Sequence, residues 1–386
     1  MGMNIVCASS VTLGREAFCT LGDVTWIAER DITPVLVRDA DILITRSKVK
    51  LTRALLQESR VAFVATATAG VDHMDIDFLN ERSIAWASAP GSNANSVAEW
   101  VTAALLHLAT DHALELEGKT LGIIGVGHVG SRVAAIAPAL GLRVLLNDPP
   151  RAAAEPGTMW CDRATLLAQS DIVTLHVPLT ESGPCATREM VDCRFLSAMK
   201  PGAIFINASR GEVVDEDCLR LGLDQHWINH ALLDVFAHEP DVDPATMAAA
   251  TLATPHIAGY SYDGRVRGTD MCYRAACRFL EVEPRWSPPT PPSDPARVFD
   301  IDPAGRSPID ILASAVSRAY DIAGDDRALR SGMTADATAR RSHFQSLRMH
   351  YPDRHEFPAY TARLTTPSPL LASRLSRIGF RVERNA

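Results

Sequence analysis

A chain of 386 residues with 47% hydrophobic content can bury more than one core, which predicts two or three domains and excludes a small cross-linked scaffold. The formal net charge of −8 argues against a nucleic-acid partner, while leaving room for a local basic pocket that takes an anionic metabolite. No apolar run approaches a membrane span, and the opening Met-Gly-Met-Asn-Ile-Val-Cys enters an apparent strand without a charged leader, so a cytoplasmic protein with no membrane contact is expected.

From the N-terminus, apolar segments at 4–8, 41–45 and 61–66 predict short strands with helices between them, an α/β alternation. Two of these strands end in polar residues, Thr45-Arg46-Ser47-Lys48 and Thr66-Ala67-Thr68-Ala69-Gly70. Open α/β sheets bind ligands beyond the carboxyl ends of their strands, so these hydroxyls, amides and cations are candidates to hold an acidic substrate. Ordinary solvated loops fit the two segments as well. Ser96 followed by Glu99 reads as a capping box opening a long helix over 97–108, which carries the chain from one domain to the next.

The most informative stretch comes next. In Leu121-Gly122-Ile123-Ile124-Gly125-Val126-Gly127-His128-Val129-Gly130 an apolar strand runs into glycines spaced G-x-G-x-x-G. The first glycine permits a tight turn, the second lets a pyrophosphate approach the backbone, and the third lets helix and strand pack closely. Free N–H groups at the start of the following helix would receive the phosphates. Val129, Val133, Ile136 and Leu140 form its apolar stripe, Gly141 ends it, and 142–146 reads as a second strand leading to Asp148. A carboxylate there would bind ribose hydroxyls and repel a 2′-phosphate, which predicts NAD; Arg151, just beyond, is the one feature that favours NADP.

Further strands are predicted at 172–177, 203–208, 231–236 and 251–253, nearly continuous apolar runs of the kind that helices cover on both faces. Each ends in polar residues: His176 with Pro178, Ser209-Arg210-Gly211, Asp234 with His238-Glu239-Pro240, and Pro255-His256. The eight cysteines, Cys7, Cys19, Cys161, Cys185, Cys193, Cys218, Cys272 and Cys277, show neither C-x-x-C nor zinc-like spacing, so reduced, mostly buried thiols and no metal are expected. The proline-dense stretch 286–295 marks a boundary. Beyond it Ile311, Leu312, Ala315, Val316, Ala319 and Tyr320 keep a helical face, Phe344, Leu347 and Tyr351 suggest another, and 378–382 reads as a closing strand. A folded appendage is expected, with subunit pairing as its simplest use.

Oxidation of an alcohol by a nicotinamide coenzyme needs a base for the hydroxyl proton and an anchor for the substrate anion. His256 is the candidate base, with Glu239 to stabilise its protonated form, and Arg210 can fork onto a carboxylate. A histidine after a proline, an arginine in Ser-Arg-Gly and a Glu-Pro step each have an ordinary structural explanation; their joint placement at successive strand ends is what points to chemistry.

Gly125-Val126-Gly127-His128-Val129-Gly130, Asn207-Ala208-Ser209-Arg210-Gly211, Leu233-Asp234-Val235-Phe236 with Glu239-Pro240, and Thr254-Pro255-His256-Ile257-Ala258-Gly259 stand in the order of the signatures of the D-isomer-specific 2-hydroxyacid dehydrogenases, and the chain resembles that family. The resemblance implies a Rossmann-type NAD domain over 94–256, a flavodoxin-like discontinuous substrate domain from 1–93 and 257–285, and a catalytic trio of Arg210, Glu239 and His256. It further implies NAD contacts at Gly125, Gly127, His128, Val129, Asp148, Val177, Ala208, Arg210, Asp234 and Gly259. A narrower likeness, to one branch of the family, covers nearly the whole chain through 66–73, 148–151, 256–261, 264–269, 351–354 and 378–380. That branch implies a small α+β C-terminal dimerisation domain over 286–386, hence a homodimer, and a phosphorylated 2-hydroxy acid oxidised at C2 on the route to pyridoxal 5′-phosphate. Ser47, Thr68 and Tyr260 would contact substrate, with Arg46, Arg265 and Arg267 near its phosphate. Val177 departs from the threonine expected in that branch, and its side chain cannot donate a hydrogen bond. Related family members act on other acids such as 3-phosphoglycerate, and the same scaffold also serves as an NAD-responsive corepressor.

Overall fold

Short strands joined through helices return in the same direction, and every strand pairing in the computed structural model, which describes residues 2–155, 160–290 and 294–383, is parallel. Residues 291–293 of the proline-rich boundary lie outside the described residues.

One compact unit comprises Met1–Ala94 and Tyr260–Ser293. Its strands β1 (Met3–Ala8), β2 (Gly22–Ile27), β3 (Ile42–Thr45), β4 (Phe63–Thr66) and β5 (Ala85–Ala87) lie in the order β2-β1-β3-β4-β5, a flavodoxin-like arrangement. β3 and β4 are buried throughout and are legible as apolar runs. The edge strands β2 and β5, each with only one neighbour, contain no fully buried residue and left no such run to read. The return segment is part of this core: the helix Tyr262–Phe279 sets Tyr273 against Phe18 with ring centroids 5.9 Å apart, and the Tyr273 hydroxyl lies 2.9 Å from that of Thr20.

The second unit comprises Asn95–Gly259 and Asp294–Ala386. After the helix Ala94–Asp111 come β6 (Thr120–Ile124), β7 (Arg143–Asn147), β8 (Ile172–Leu175), β9 (Ala203–Asn207), β10 (Ile228–Leu233) and β11 (Leu252–Ala253), in the sheet order β11-β10-β9-β8-β6-β7. Trp160 adds a parallel bridge to Leu146 outside β7. The chain leaves β6 for β7 and then crosses back to β8, so the switch point lies between β6 and β8. Register levels the carboxyl ends, with Ile124 opposite both Asn147 and Leu175, Leu175 opposite Asn207, and Leu233 opposite both Asn207 and Ala253. Polar residues that follow these ends therefore emerge along one edge.

Residues 294–383 keep a sheet of their own, β12 (Val298–Ile301), β13 (Thr361–Leu364) and β14 (Arg381–Glu383), and yet share a core with the preceding residues of this unit. Leu329 and Phe344 are buried in the same cluster as Phe236 and Met247, with the Phe236 and Phe344 rings edge to face at 6.5 Å. Arg330 donates to the carbonyls of Met247 and Ala250, both at 2.8 Å. The helix Pro308–Ala319 buries the expected Ile311, Leu312, Ala315, Val316 and Ala319 face.

Three local expectations are corrected. Ser96 and Glu99 form no capping box, because the helix already starts at Ala94; their side chains instead reach Ala258 and Arg354. Ile378 closes the helix Pro369–Ile378, Gly379 (φ +122°) turns the chain, and the last strand starts only at Arg381. The cysteines are not all reduced: Cys193 and Cys218, 25 residues apart, form a disulfide between the neighbouring helices Cys193–Ser197 and Glu216–Asp224. Helix packing makes that pair, and no spacing motif announces it. Of the others, Cys7, Cys272 and Cys277 are buried, whereas Cys19 and Cys185 are exposed.

Candidate active site

The glycine loop joins β6 to the helix His128–Ile136 at the switch point, with Gly127 as its N-cap residue. Gly125 takes φ +85°, a left-handed turn. A Cβ on Gly130 would lie 2.0 Å from the Gly125 carbonyl oxygen, so only glycine lets the helix pack this close to the turn. At Gly127, by contrast, a Cβ would meet no protein atom within 4 Å; that side of the loop is open, as a pyrophosphate cradle requires. His128 and Val129 start the helix and are exposed and half-buried. Val177 turns its side chain toward Gly125 beyond β8, and an added Cβ there would be 2.8 Å from Val177 Cγ1. Beside it, burial pushes the His176 imidazole down to about 3, so this ring is neutral.

At the end of β7, Asp148 caps the helix Pro149–Ala154 by accepting the Arg151 N–H at 3.1 Å, and its other oxygen accepts the Val126 N–H at 2.8 Å. Each oxygen retains a second lone pair for a ribose hydroxyl. Arg151 is not presented to a 2′-phosphate. It donates to Val126 O at 2.5 Å and Ser131 Oγ at 3.2 Å, and it forks onto Glu155 through Nε at 3.2 Å and Nη2 at 2.7 Å. The sequence reading missed Glu155; its i,i+4 spacing from Arg151 was the available signal.

Three strands away, the ends of β9, β10 and β11 carry the other polar groups. A Cβ on Gly211 would fall 1.9 Å from the Phe236 carbonyl carbon, so the backbone that follows Arg210 lies directly against the loop that carries Glu239. Arg210 Nη1 donates to Ser209 O at 2.8 Å, and Asn207 Nδ2 donates to Arg210 O at 2.9 Å, which fixes the turn after Ala208. Glu239, followed by a cis peptide to Pro240, accepts the Phe236 N–H at 2.9 Å through Oε1. Its Oε2 accepts from His256 Nδ1 at 2.7 Å. A carboxylate can only accept, so this contact fixes the tautomer with Nε2 as the basic nitrogen. The imidazole is one-third exposed whereas the Glu239 side chain is 16% exposed, so the ring is the accessible partner. Burial alone would raise the Glu239 carboxyl, but the His256 imidazole beside it and the Arg348 charge bring it below the ordinary carboxylate range.

His256 has φ +56°, a conformation that side chains rarely adopt. Asp234 holds it there: its carbonyl accepts the His256 N–H at 2.7 Å, and its carboxylate accepts the N–H of Ile257 at 2.8 Å and of Ala258 at 2.9 Å. The Thr254 hydroxyl donates to the same carboxylate at 2.6 Å and accepts from Trp100 Nε1 at 2.9 Å. Burial pushes the Asp234 carboxyl up to about 6, against the opposing pull of the His256 charge and these donors. Asp234 is 1% exposed. Gly259 ends the first segment of this unit.

In the other unit, β3 and β4 end opposite each other at Thr45 and Thr66, so Arg46, Ser47 and Thr68 share one sheet edge. Ser47 is exposed, and the hydroxyl of Thr68 lies 2.8 Å from that of Thr66. Arg46 stacks 5.4 Å from the Tyr260 ring centroid. The helix Tyr262–Phe279 passes the same edge, where a Cβ on Gly268 would lie 3.0 Å from Ala67 O; Arg267 Nε donates to Ser92 O at 3.0 Å.

A coenzyme cradle at the switch point and a basic nitrogen backed by a carboxylate on the same sheet edge serve one class of reaction, transfer of a hydride from an alcohol carbon to NAD. Residues 92–258 match the family described as D-isomer specific 2-hydroxyacid dehydrogenase, NAD binding domain, and the chain is an NAD-dependent oxidoreductase of that kind. More particularly, it belongs to the erythronate-4-phosphate dehydrogenase family. It is 40% identical over 382 residues to the erythronate-4-phosphate dehydrogenase of Azotobacter vinelandii, covering 98% of this chain and 99% of that protein. The Salinibacter ruber enzyme of the same name is 42% identical over 370 residues, with 93% of each covered. Among solved structures, the D-lactate dehydrogenase of Aquifex aeolicus in complex with NAD and lactic acid superposes with a TM-score of 0.61 at 26% identity, covering 72% of this chain and 96% of that one. The NAD-bound 3-phosphoglycerate dehydrogenase of Entamoeba histolytica shares the fold, with a TM-score of 0.62 at 24% identity over 73% and 96% of the two chains. Residues 295–379 match a family described as a domain of unknown function.

Proposed function

We propose that the chain oxidises 4-phospho-D-erythronate at C2 to (R)-3-hydroxy-2-oxo-4-phosphooxybutanoate with NAD, a step toward pyridoxal 5′-phosphate. The observation that carries this reading is the Glu239–His256 pair at 2.7 Å, at the level sheet edge of a chain with near-full-length relatives of that name. Gly125, Gly127, His128, Val129, Asp148, Val177, Ala208, Arg210, Asp234 and Gly259 are the proposed coenzyme contacts. Bound NAD supplies the hydride acceptor. His256 Nε2 takes the C2 hydroxyl proton as the carbonyl forms, and Glu239, already below the ordinary carboxylate range, holds the imidazolium charge that results. Arg210 anchors the substrate carboxylate and orients C2. Ser47, Thr68 and Tyr260 are proposed substrate contacts, with Arg46, Arg265 and Arg267 toward the phosphate.

NADH formation with 4-phospho-D-erythronate, 3-phosphoglycerate and D-lactate in parallel, with an added 2-oxo acid to reoxidise retained coenzyme, tests this reading. Strong preference for the first acid is expected. Activity with another acid alone would keep the trio and discard the substrate, and NAD binding without any turnover would favour a corepressor-like role. We further propose that the 286–386 segment pairs two subunits and that the enzyme works in the cytoplasm, where its coenzyme is; sedimentation as a monomer would refute the first, and fractionation the second.

A further inference from the structure

The segment that matches a domain of unknown function reaches the loops of its own subunit that carry His256 and Glu239. Arg354 lies in the loop that follows the helix Ala337–Met349, and it is 7% exposed. Its guanidinium stacks 4.2 Å from the Tyr320 ring centroid, pairs with Glu99 at 3.3 Å and donates to Ser96 Oγ at 2.5 Å. Because Ser96 Oγ accepts from Arg354, its own hydrogen is directed at a second oxygen, and it donates to Ala258 O at 2.6 Å; Arg354 Nη2 also stands 3.4 Å from that carbonyl. Glu99 completes the bracket by accepting the Phe357 N–H at 2.8 Å.

Ala258 is thus held from two directions, its N–H by Asp234 and its carbonyl by Ser96 and Arg354. Two residues earlier stands His256 with its φ of +56°. Such a conformation persists only where surrounding contacts over-determine it, and Asp234 restrains only the amide side. The loop carrying the partner carboxylate is held from the same segment, since Phe344 packs on Phe236 and Arg341 donates to Asp241 at 2.6 Å. A buried ion pair contributes little net stability compared with apolar packing, so positioning is a better account of Arg354 than stabilisation.

We propose that Arg354 is a positioning residue for the reaction: through Ser96 it fixes the backbone at Ala258 and thereby the setting of His256 against Glu239, so that residues 294–383 complete the active site of their own subunit. The proposal rests on the reading of His256 as the base.

The test compares the parent enzyme with Arg354→Lys, Ser96→Ala and the paired Glu99→Gln/Arg354→Met, in which Glu99 is not left as a buried carboxylate facing a lost guanidinium, and includes His256→Asn as a control. Turnover, the primary isotope effect with C2-deuterated 4-phospho-D-erythronate, NADH affinity by fluorescence and the thermal melt are measured. For the paired variant we expect turnover to fall about 10-fold to 10²-fold with a larger isotope effect, at NADH affinity within about twofold of the parent, because a small misplacement of a reacting group slows chemistry without removing the coenzyme site. Ser96→Ala should fall part of the way and Arg354→Lys should recover part. Turnover and isotope effect at parental levels in the folded variants would overturn the proposal. If the paired variant does not fold, Ser96→Ala and Arg354→Lys decide by the same criterion. Near-parental turnover of His256→Asn would sink the reading of the site itself, whereas an inactive His256→Asn beside fully active arginine variants would sink the positioning role alone.

Discussion

The two halves of the six-stranded sheet solve different problems with different means. At the β6–β7 end the polar groups are neighbours in sequence: Asp148 caps its own helix, Arg151 pairs with Glu155 one turn on, and both bind the nearby Val126 backbone. At the β9–β11 end the groups come from segments far apart, and several are buried, with Asp234, Thr254, Ser96, Glu99 and Arg354 all below one-tenth exposure. On the proposed reading, coenzyme choice would be made on a solvated surface by local pairs. The proposed proton transfer would be set in a buried network where one lost partner leaves others unsatisfied. The catalytic half should therefore be the more fragile to substitution.

Breaking that half at its centre gives the largest expected effect. His256→Asn is expected to lower turnover about 10²-fold to 10⁴-fold with NADH binding kept, measured by steady-state kinetics beside a fluorescence titration. Near-normal turnover would remove the imidazole from proton transfer. Asp234→Asn comes next. Its carboxylate takes three donors, and an amide would turn its own N–H₂ toward backbone N–H groups, a loss of about 1–3 kcal/mol visible as a lower urea midpoint together with slower turnover. An unchanged midpoint would show that the 256–259 loop is held from elsewhere.

The comparison sharpens at the coenzyme end. Asp148→Ser removes the charge that opposes a 2′-phosphate, and the ratio of kcat/KM for NAD over NADP should fall by about tenfold, roughly one charge-assisted hydrogen bond. Glu155→Gln should narrow the ratio only a few-fold by releasing Arg151, as befits an exposed pair. If Glu155→Gln moved the ratio more than Asp148→Ser, Arg151 would be the principal selector.

Acid should weaken the fold. His176, held neutral down to about 3 by burial, binds its proton near pH 6.5 once unfolded. Its contribution is therefore fully present above that pH and is lost as pH falls from about 6.5 toward 3. Glu239, whose carboxyl is held down once burial is outweighed by the His256 and Arg348 charges, acts in the same direction, losing its contribution as pH falls through the carboxylate range. Asp234, whose carboxyl burial raises to about 6, opposes this by losing its contribution as pH rises through 6. The His176 change spans more of the window, so urea midpoints at pH 7.5 should still exceed those at pH 5.5, and His176→Gln should flatten or reverse the difference. Equal flattening in a surface histidine variant would assign the effect to net charge.

Much of this was legible from residue order. Apolar runs marked β3, β4, β6, β8 and β9, since a strand covered on both faces must be apolar along its length. The glycine spacing marked the turn at Gly125 and the close packing at Gly130, because only glycine satisfies either. Arg210, Asp148, Glu239 and His256 could be named as candidates because they follow the predicted strands that became β9, β7, β10 and β11. The tertiary structure alone decided that the six strand ends are level, which depends on register between segments that are not neighbours in sequence, such as Ile124 and Leu175. It also decided that Cys193 meets Cys218, and that Ser96 and Glu99, read as a local cap, are the seats of Arg354 more than 250 residues away. A cap and a buried docking site use the same hydroxyl and carboxylate. Periodicity records which face of a helix is buried, whereas the identity of what buries it is settled only when distant segments pack.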